Sequence, residues 1–121
     1  MNRREEPTEE ELGAIRTLCS GDATYHEDGW RQVIRMEALR LKVQGQPREM
    51  DALIVLNHDN PTYPTKLYLA EKLDCGLNWN ESHYILGSEW HTFSWAGVRN
   101  NQTPLEILAD HLAPLKMGKA A

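Results

Sequence analysis

The segment at residues 50–56 reads Met-Asp-Ala-Leu-Ile-Val-Leu, and its last five residues are all apolar. A short, continuous apolar run bounded by turn signals is typical of a strand that is covered on both faces of its sheet. The turn signals are residues 44–47 (Gln-Gly-Gln-Pro) before the run and residues 57–61 (Asn-His-Asp-Asn-Pro) after it. The sequence therefore predicts a central strand here, inside a sheet that has further strands beside it.

The neighbouring segments supply those strands. Residues 30–43 carry two alternating patterns, with Ile34 and Met36 in the first and Leu39, Leu41 and Val43 in the second. The apolar phase slips by one position between Met36 and Leu39, which predicts a bulge or a bend. Residues 65–73 carry a further strand, with Leu67 and Leu69 on one face. We predict an antiparallel β-meander of three to four strands over residues 30–73.

Each end of the chain carries a helix signal. Thr8 and Glu11 form a capping box before a helix at residues 7–19, and Thr103 and Glu106 form another around Pro104 at the start of a helix at residues 103–116. The apolar residues recur at helical spacing in both segments: Leu12, Ile15, Leu18 and Cys19 in the first, and Leu105, Leu108, Leu112 and Leu115 in the second. Pro114 is expected to loosen or end the second helix. The fold class is α+β, with the meander packed against both helices.

Composition bounds the function. The chain of 121 residues is expected to be one domain, with 40% hydrophobic and 26% charged residues. Its net charge of −5 argues against a nucleic-acid partner. We expect no signal peptide and no membrane partner, since no apolar run approaches the roughly 20 residues of a membrane span. Two cysteines are too few for a disulfide scaffold. We predict a cytoplasmic protein with no cofactor.

The segment at residues 74–102 shows little periodicity, and we predict that it is irregular. It nevertheless contains five of the nine aromatic residues: Trp79, Tyr84, Trp90, Phe93 and Trp95. Long irregular segments in compact domains are often functional. These rings either form a satellite core or build a surface for a partner. The candidate partner-binding residues are Trp90, His91, Phe93 and Trp95.

The order of these signals resembles the ubiquitin-conjugating (UBC-like) and RWD superfamily, and in particular its divergent bacterial members. The resemblance is carried by Tyr63-Pro64 after the third strand, by Trp95 and by the helix that starts at Pro104. It implies a UBC/RWD-like fold and a role in a bacterial ubiquitin-like modification pathway. The implied partners are a ubiquitin-like protein and its activating enzyme.

The chain departs from the family at the catalytic position. The family's catalytic cysteine lies about two dozen residues past the Tyr-Pro pair, which corresponds to residues 84–88, where no cysteine is present. The family's His-Pro-Asn motif is also missing. If the protein carries its partner as a thioester, Cys75 is the candidate carrier, with His83 or Asn80 as the candidate helper.

Two alternatives remain open from the sequence. The first is a non-catalytic adaptor of the same fold that binds a ubiquitin-like protein or an activating enzyme through its aromatic loop. The second is a small metal-binding protein that uses Cys75, His83 and His91, which are residue types that zinc accepts. No Cys-x-x-Cys or His-x-x-x-His pair supports the metal hypothesis.

Overall fold

The computed structural model describes residues 3–58, 60–73, 77, 79 and 81–117. The elements follow in the order α1 (Glu9–Arg16), β1 (Ala23–Asp28), β2 (Arg31–Val43), β3 (Gln46–Val55), β4 (Lys66–Leu69), β5 (Glu81–Ile85), β6 (Ser88–Thr92) and α2 (Pro104–Met117). Every strand pair is antiparallel, and the strand order is β1-β2-β3-β4-β6-β5. The predicted α+β class is confirmed, but within these ranges the sheet has six strands rather than three to four.

Three strands lie outside the predicted meander. β1 was missed because its sequence, Ala-Thr-Tyr-His-Glu-Asp, is polar, and in the structure only Ala23 of this edge strand is buried. β5 and β6 form a hairpin inside the segment that we predicted to be irregular. Both strands are short and largely exposed, so they carry a weak apolar pattern. Their turn places Leu86 and Gly87 at φ values of 53° and 81°.

The phase slip in β2 is a β-bulge, as predicted. The register of β2 against β3 shifts between Met36 and Leu39. Ala38 inside the bulge has a φ of 52°. Its N–H donates to Asp51 Oδ1 at 2.9 Å, and its carbonyl accepts from the N–H of Ser20 at 2.9 Å. The bulge therefore lets both Met36 and Leu39 face the helices.

Both helices differ from their predicted bounds. The capping box at Thr8 is present, but α1 ends at Arg16, and Cys19 forms a β-bridge with Leu39 instead of continuing the helix. α2 runs through Pro114 to its end at Met117, so Pro114 does not end it. Only one turn follows the proline, and the single hydrogen bond that proline removes is lost near a helix end.

No helix in the described part of the chain is long and apolar enough to cross a membrane. α1 has 8 residues and α2 has 14. A span of the hydrocarbon core needs roughly 20 residues of helix.

The core has a layer on each side of the sheet. One layer lies between the sheet and the two helices and includes Ile34, Ile54 and Leu67. The other lies on the opposite face, which we call the concave face, and consists of Val33, Leu53, Val55, Tyr68, Ile85 and Trp90. Residues 52–55 of β3 and Leu56, which directly follows the strand, are fully buried. The prediction of a strand covered on both faces is therefore confirmed.

The sheet is strongly curved. Asp28 lies at the end of β1 and Leu86 in the β5–β6 turn, and β1 and β5 are the two edge strands. Nevertheless, Asp28 Oδ2 accepts a hydrogen bond from the Leu86 N–H at 2.7 Å. Opposite edges of the sheet therefore meet at this end, and Trp30 and Leu86 pack over the apolar residues of the concave face.

Candidate functional site

The segments that carry the family resemblance meet at one corner of the fold. The loop with Tyr63 and Pro64 connects β3 to β4. The Gly97 N–H donates to the carbonyl of Thr62 at 3.0 Å, and the Thr65 hydroxyl donates to the carbonyl of Val98 at 2.8 Å. The loop is thereby fastened to the segment that follows Trp95 and leads to α2. We call this region the Tyr-Pro corner.

The buried side chain of His111, in α2, contacts the Tyr-Pro corner through Thr65. Its Nε2 lies 2.9 Å from Thr65 Oγ1, and its side chain is buried. A hydroxyl has one hydrogen, and that of Thr65 goes to the carbonyl of Val98, so Nε2 carries the proton and donates to Oγ1. Burial, and to a lesser degree the charge of Lys66, lowers the pKa of His111 to about 3. The imidazole is therefore neutral at physiological pH.

The β5–β6 hairpin sends alternate side chains to opposite faces. The paired residues His83 and Trp90 face the concave side. The neighbouring pairs, Ser82 with His91 and Tyr84 with Glu89, face the other side. We call this second group (Ser82, Tyr84, Glu89 and His91) the edge surface, since β5 is the outermost strand of the sheet.

The edge surface combines an exposed ring with open backbone groups. Tyr84 is 73% exposed. Ile85 and Ser88 flank the two-residue turn and form a hydrogen-bonded pair. Residue pairs along an antiparallel ladder alternate between hydrogen-bonded and non-hydrogen-bonded. Ser82 and Tyr84 therefore belong to non-hydrogen-bonded pairs, and their N–H and C=O groups point away from β6. The structure gives these groups no backbone partner among the described residues. This edge is therefore able to pair with another strand.

The predicted partner-binding aromatics are placed differently from our expectation. Trp90 is 4% and Phe93 3% exposed, so neither ring forms an accessible surface. Trp90 Nε1 donates to the carbonyl of Ile85 at 3.0 Å, and Trp95 is half-buried against the core. Of the predicted set, His91 lies on the edge surface, with its Nδ1 2.7 Å from Ser82 Oγ.

Sequence reasoning missed Tyr84 as an exposed binding residue. The local signal was weak, because β5 reads Glu-Ser-His-Tyr-Ile and does not alternate between polar and apolar residues. The exposure of Tyr84 follows from the position of β5 at the edge of the sheet, which the local sequence does not show. Large, exposed aromatic side chains commonly anchor protein interfaces.

A cluster of titratable groups lies on the concave face beside the Tyr-Pro corner. Lys66 is only 5% exposed, and its Nζ lies 3.5 Å from Glu81 Oε1 and 4.8 Å from the centre of the Tyr63 ring. Tyr68 is buried next to it, with its hydroxyl 3.0 Å from His83 Nδ1. Burial raises the pKa of Tyr68 to about 12, so this phenol stays protonated at neutral pH.

His58 belongs to the same cluster, although the sequence indicated a solvated turn. Its ring lies 6.1 Å from that of Trp30, and its Nδ1 is buried without a hydrogen-bond partner among the described residues. Burial lowers the pKa of His58, and the nearby charge of Lys66 lowers it further. The neutral imidazole is therefore favoured in the folded state.

Of the predicted catalytic and metal-binding residues, the structure describes His83 and His91. Cys75 and Asn80 lie outside the described residues. His83 faces the concave side with its Nδ1 against Tyr68, whereas His91 faces the opposite side. The two histidines of the proposed metal set therefore point apart, and the described residues contain no group of three His, Cys, Asp or Glu that could hold a metal ion.

No protein-family model, curated protein or solved structure matches this chain.

Proposed function

We propose that the chain is a UBC/RWD-like protein of a bacterial ubiquitin-like modification pathway. The observation that carries this proposal is the Tyr-Pro corner. A Tyr-Pro loop follows the third strand of a sequential antiparallel meander, as the resemblance implies. It is hydrogen-bonded to the segment between Trp95 and Pro104, which holds the remaining family signals. A cytoplasmic location belongs to the same proposal.

Within this pathway we propose a role in binding rather than in thioester chemistry. The family's cysteine corresponds to residues 84–88, which here form the end of β5 and a tight turn without a thiol. His83, a candidate helper, contacts the phenol of Tyr68 through Nδ1. Transthiolation needs an accessible thiolate with an oxyanion donor beside it, and these residues supply neither.

The edge surface is the part of the molecule that suits this binding role. An extended segment of the ubiquitin-like protein or of the activating enzyme pairs with β5 through the outward backbone groups of Ser82 and Tyr84. The ring of Tyr84 then packs against the added segment. Strand addition of this kind takes its affinity from main-chain hydrogen bonds and its specificity from side-chain contacts.

Binding is tested with a bacterial ubiquitin-like protein and its activating enzyme, each titrated by calorimetry. Tyr84→Ala removes the ring alone. Tyr84→Pro removes the ring and an outward N–H without touching the β5–β6 ladder, so the difference between the two variants reports the N–H. We expect each variant to bind at least about tenfold more weakly, which corresponds to about 1.4 kcal/mol. Arg99→Ala, at an exposed position outside β5 and β6, should bind like the wild type.

Thioester formation is tested separately, with the same two proteins and ATP on a non-reducing gel. We expect binding without an adduct. A thiol-sensitive adduct that disappears in Cys75→Ser would instead assign the carrier role to Cys75 within the same pathway. The absence of both binding and adduct would contradict the pathway assignment.

A further inference from the structure

A groove of about 700 Å³ lies on the helix side of the sheet, far along the chain from β5. One wall is the second half of β2, and the other is the outer side of α2. Leu18, Leu105 and Leu112 form apolar parts of the lining. Leu105, on this outer side of α2, is 37% exposed.

The rim of this groove is positively charged. Four cationic residues line it (Arg40, Lys42, Arg48 and Lys116), and Glu49 is the one acidic residue among the lining residues. Arg48 Nη2 also lies 3.8 Å from Glu71 Oε1, outside the groove, so the positive charge of the rim rests on Arg40, Lys42 and Lys116 on a chain whose net charge is −5. Glu49 accepts a hydrogen bond from the Ser20 hydroxyl at 2.6 Å. The rim therefore favours an anionic ligand.

The β2 wall also presents an open stretch of backbone. The Arg40 N–H donates to the carbonyl of Leu18, and the Gln44 N–H donates to the carbonyl of Leu115, so both point away from β3. Lys42 lies between them and opposite Pro47, which has no N–H to offer. The N–H and C=O of Lys42 therefore also point away from β3, and the structure gives them no backbone partner among the described residues.

We infer that the groove binds an extended acidic segment of a partner protein. One residue of the segment pairs with the free N–H and C=O of Lys42. Alternate apolar side chains lie against Leu105 and Leu112, and the acidic side chains meet Lys42, Arg40 and Lys116. The edge surface on β5 has no part in this contact, so the inference stands apart from the proposed function.

The backbone of Lys42 selects a peptide over a fatty acid. A carboxylate on an alkyl chain satisfies the charge and the apolar lining, but it offers no donor to the carbonyl of Lys42. A peptide in extended conformation offers a donor and an acceptor on the same residue at strand spacing. Peptide backbone, apolar side chains and carboxylates together match every feature of the groove.

The test uses a fluorescein-labelled short peptide in which glutamate and leucine alternate, measured by fluorescence anisotropy with the full chain. The control peptide has lysine in place of every glutamate. We expect the acidic peptide to bind and the basic peptide to fail, with binding weakened at high salt. The double variant Lys42→Glu and Lys116→Glu should bind about tenfold or more weakly. Arg99→Glu carries a charge reversal outside the groove and should bind like the wild type.

Amide hydrogen exchange gives an independent readout. The Lys42 N–H should exchange more slowly when the acidic peptide is bound, and Tyr84→Pro should leave both affinity and protection unchanged. Equal binding of the two peptides, or insensitivity to the double charge reversal, would overturn the inference. Saturable binding of decanoate with no protection at Lys42 would also overturn it, in favour of a lipid ligand.

Discussion

At the scale of single residues, buried polar side chains fasten segments that are far apart in the sequence. Thr65 bonds to both Val98 and His111, across 33 and 46 residues of chain. Gln32 is fully buried, and its backbone N–H donates to Asn57 Oδ1 at 2.8 Å. A buried polar group that loses its partner destabilises a protein by about 1–3 kcal/mol. These residues therefore fix the path of the loops around the sheet.

The buried, neutral state of His111 predicts an acid-sensitive fold. Its folded pKa is about 3, whereas an unfolded histidine has a pKa of about 6.5. Between these values the unfolded state binds more protons, so the free energy of unfolding falls as the pH drops below about 6.5. We expect a loss of about 2 kcal/mol from this residue between pH 7 and pH 5.

His111→Gln is the matched control, because a glutamine amide can donate to Thr65 but does not titrate. Urea unfolding of both proteins across this pH range gives the comparison. The stability difference between the two proteins should shrink as the pH falls, since only the wild type loses this contribution. A difference that stays constant with pH would contradict a buried neutral imidazole.

The sequence revealed these interior residues only in part. Leu112 and Leu115 mark the buried face of α2 by their spacing, but nothing in the local sequence shows that His111 finds a partner in Thr65. The same holds for His58 and Lys66, whose environment is set by strands that are distant in the sequence. Side-chain pairing across the sheet depends on register and curvature, and single-sequence patterns do not contain either.

At the scale of secondary-structure elements, the well-predicted features include the capping box of α2 and the bulge of β2. Thr103 and Glu106 cap α2 reciprocally: Thr103 Oγ1 accepts from the Glu106 N–H at 3.3 Å, and Glu106 Oε1 accepts from the Thr103 N–H at 2.9 Å. These are local signals of a few residues, which the sequence does contain. The hairpin of β5 and β6 was missed because short exposed strands lack a strong apolar pattern.

The cap of α2 predicts a measurable loss on truncation. Thr103→Ala removes the hydroxyl that accepts the Glu106 N–H and should lower the free energy of unfolding by about 1 kcal/mol. Thr103→Ser keeps the hydroxyl and should change stability by less than half of that. Denaturant unfolding measures both variants. Equal losses for alanine and serine would show that the methyl group, not the cap, is responsible.

The bulge predicts a stabilising glycine. Ala38 has a φ of 52°, a region that costs an ordinary residue about 1–2 kcal/mol and costs glycine little. Ala38→Gly should therefore raise the melting temperature, by the equivalent of about 0.5–1 kcal/mol after the entropy of the unfolded glycine is subtracted. Ala14→Gly makes the same chemical change within α1 and should lower stability by about 1 kcal/mol. A loss in both variants would contradict the strained conformation of Ala38.

At the scale of the whole molecule, the N-terminal arm connects the start of β2 to the segment before α2. The Arg4 backbone exchanges hydrogen bonds with the side chain of Gln32, at 2.9 and 2.8 Å. Its guanidinium donates through Nη1 to the carbonyls of Asn100 and Gln102, at 3.0 and 3.1 Å. The arm thereby holds the segment before α2 against the start of β2.

Loss of the Arg4 side-chain hydrogen bonds should lower the free energy of unfolding more than loss of a nearby surface ion pair. Arg4→Ala should lower the free energy of unfolding by about 1–2 kcal/mol, since two charge-assisted hydrogen bonds are lost. Arg3→Ala breaks only the exposed pair with Glu27, which water and salt screen, and should lower stability much less. Thermal unfolding compares them, and equal effects would contradict the structural role of Arg4.

The hydrogen bond between Asp28 and Leu86 spans 58 residues and joins two hairpin turns. The lengths of those hairpins are therefore coupled. An inserted residue at the Gly29 turn or at the Leu86–Gly87 turn would shift Asp28 relative to Leu86 and break their hydrogen bond. Insertions in the two turns should be tolerated in matched pairs rather than singly. Over evolutionary time, this contact should therefore keep the lengths of the β1–β2 and β5–β6 hairpins matched to each other.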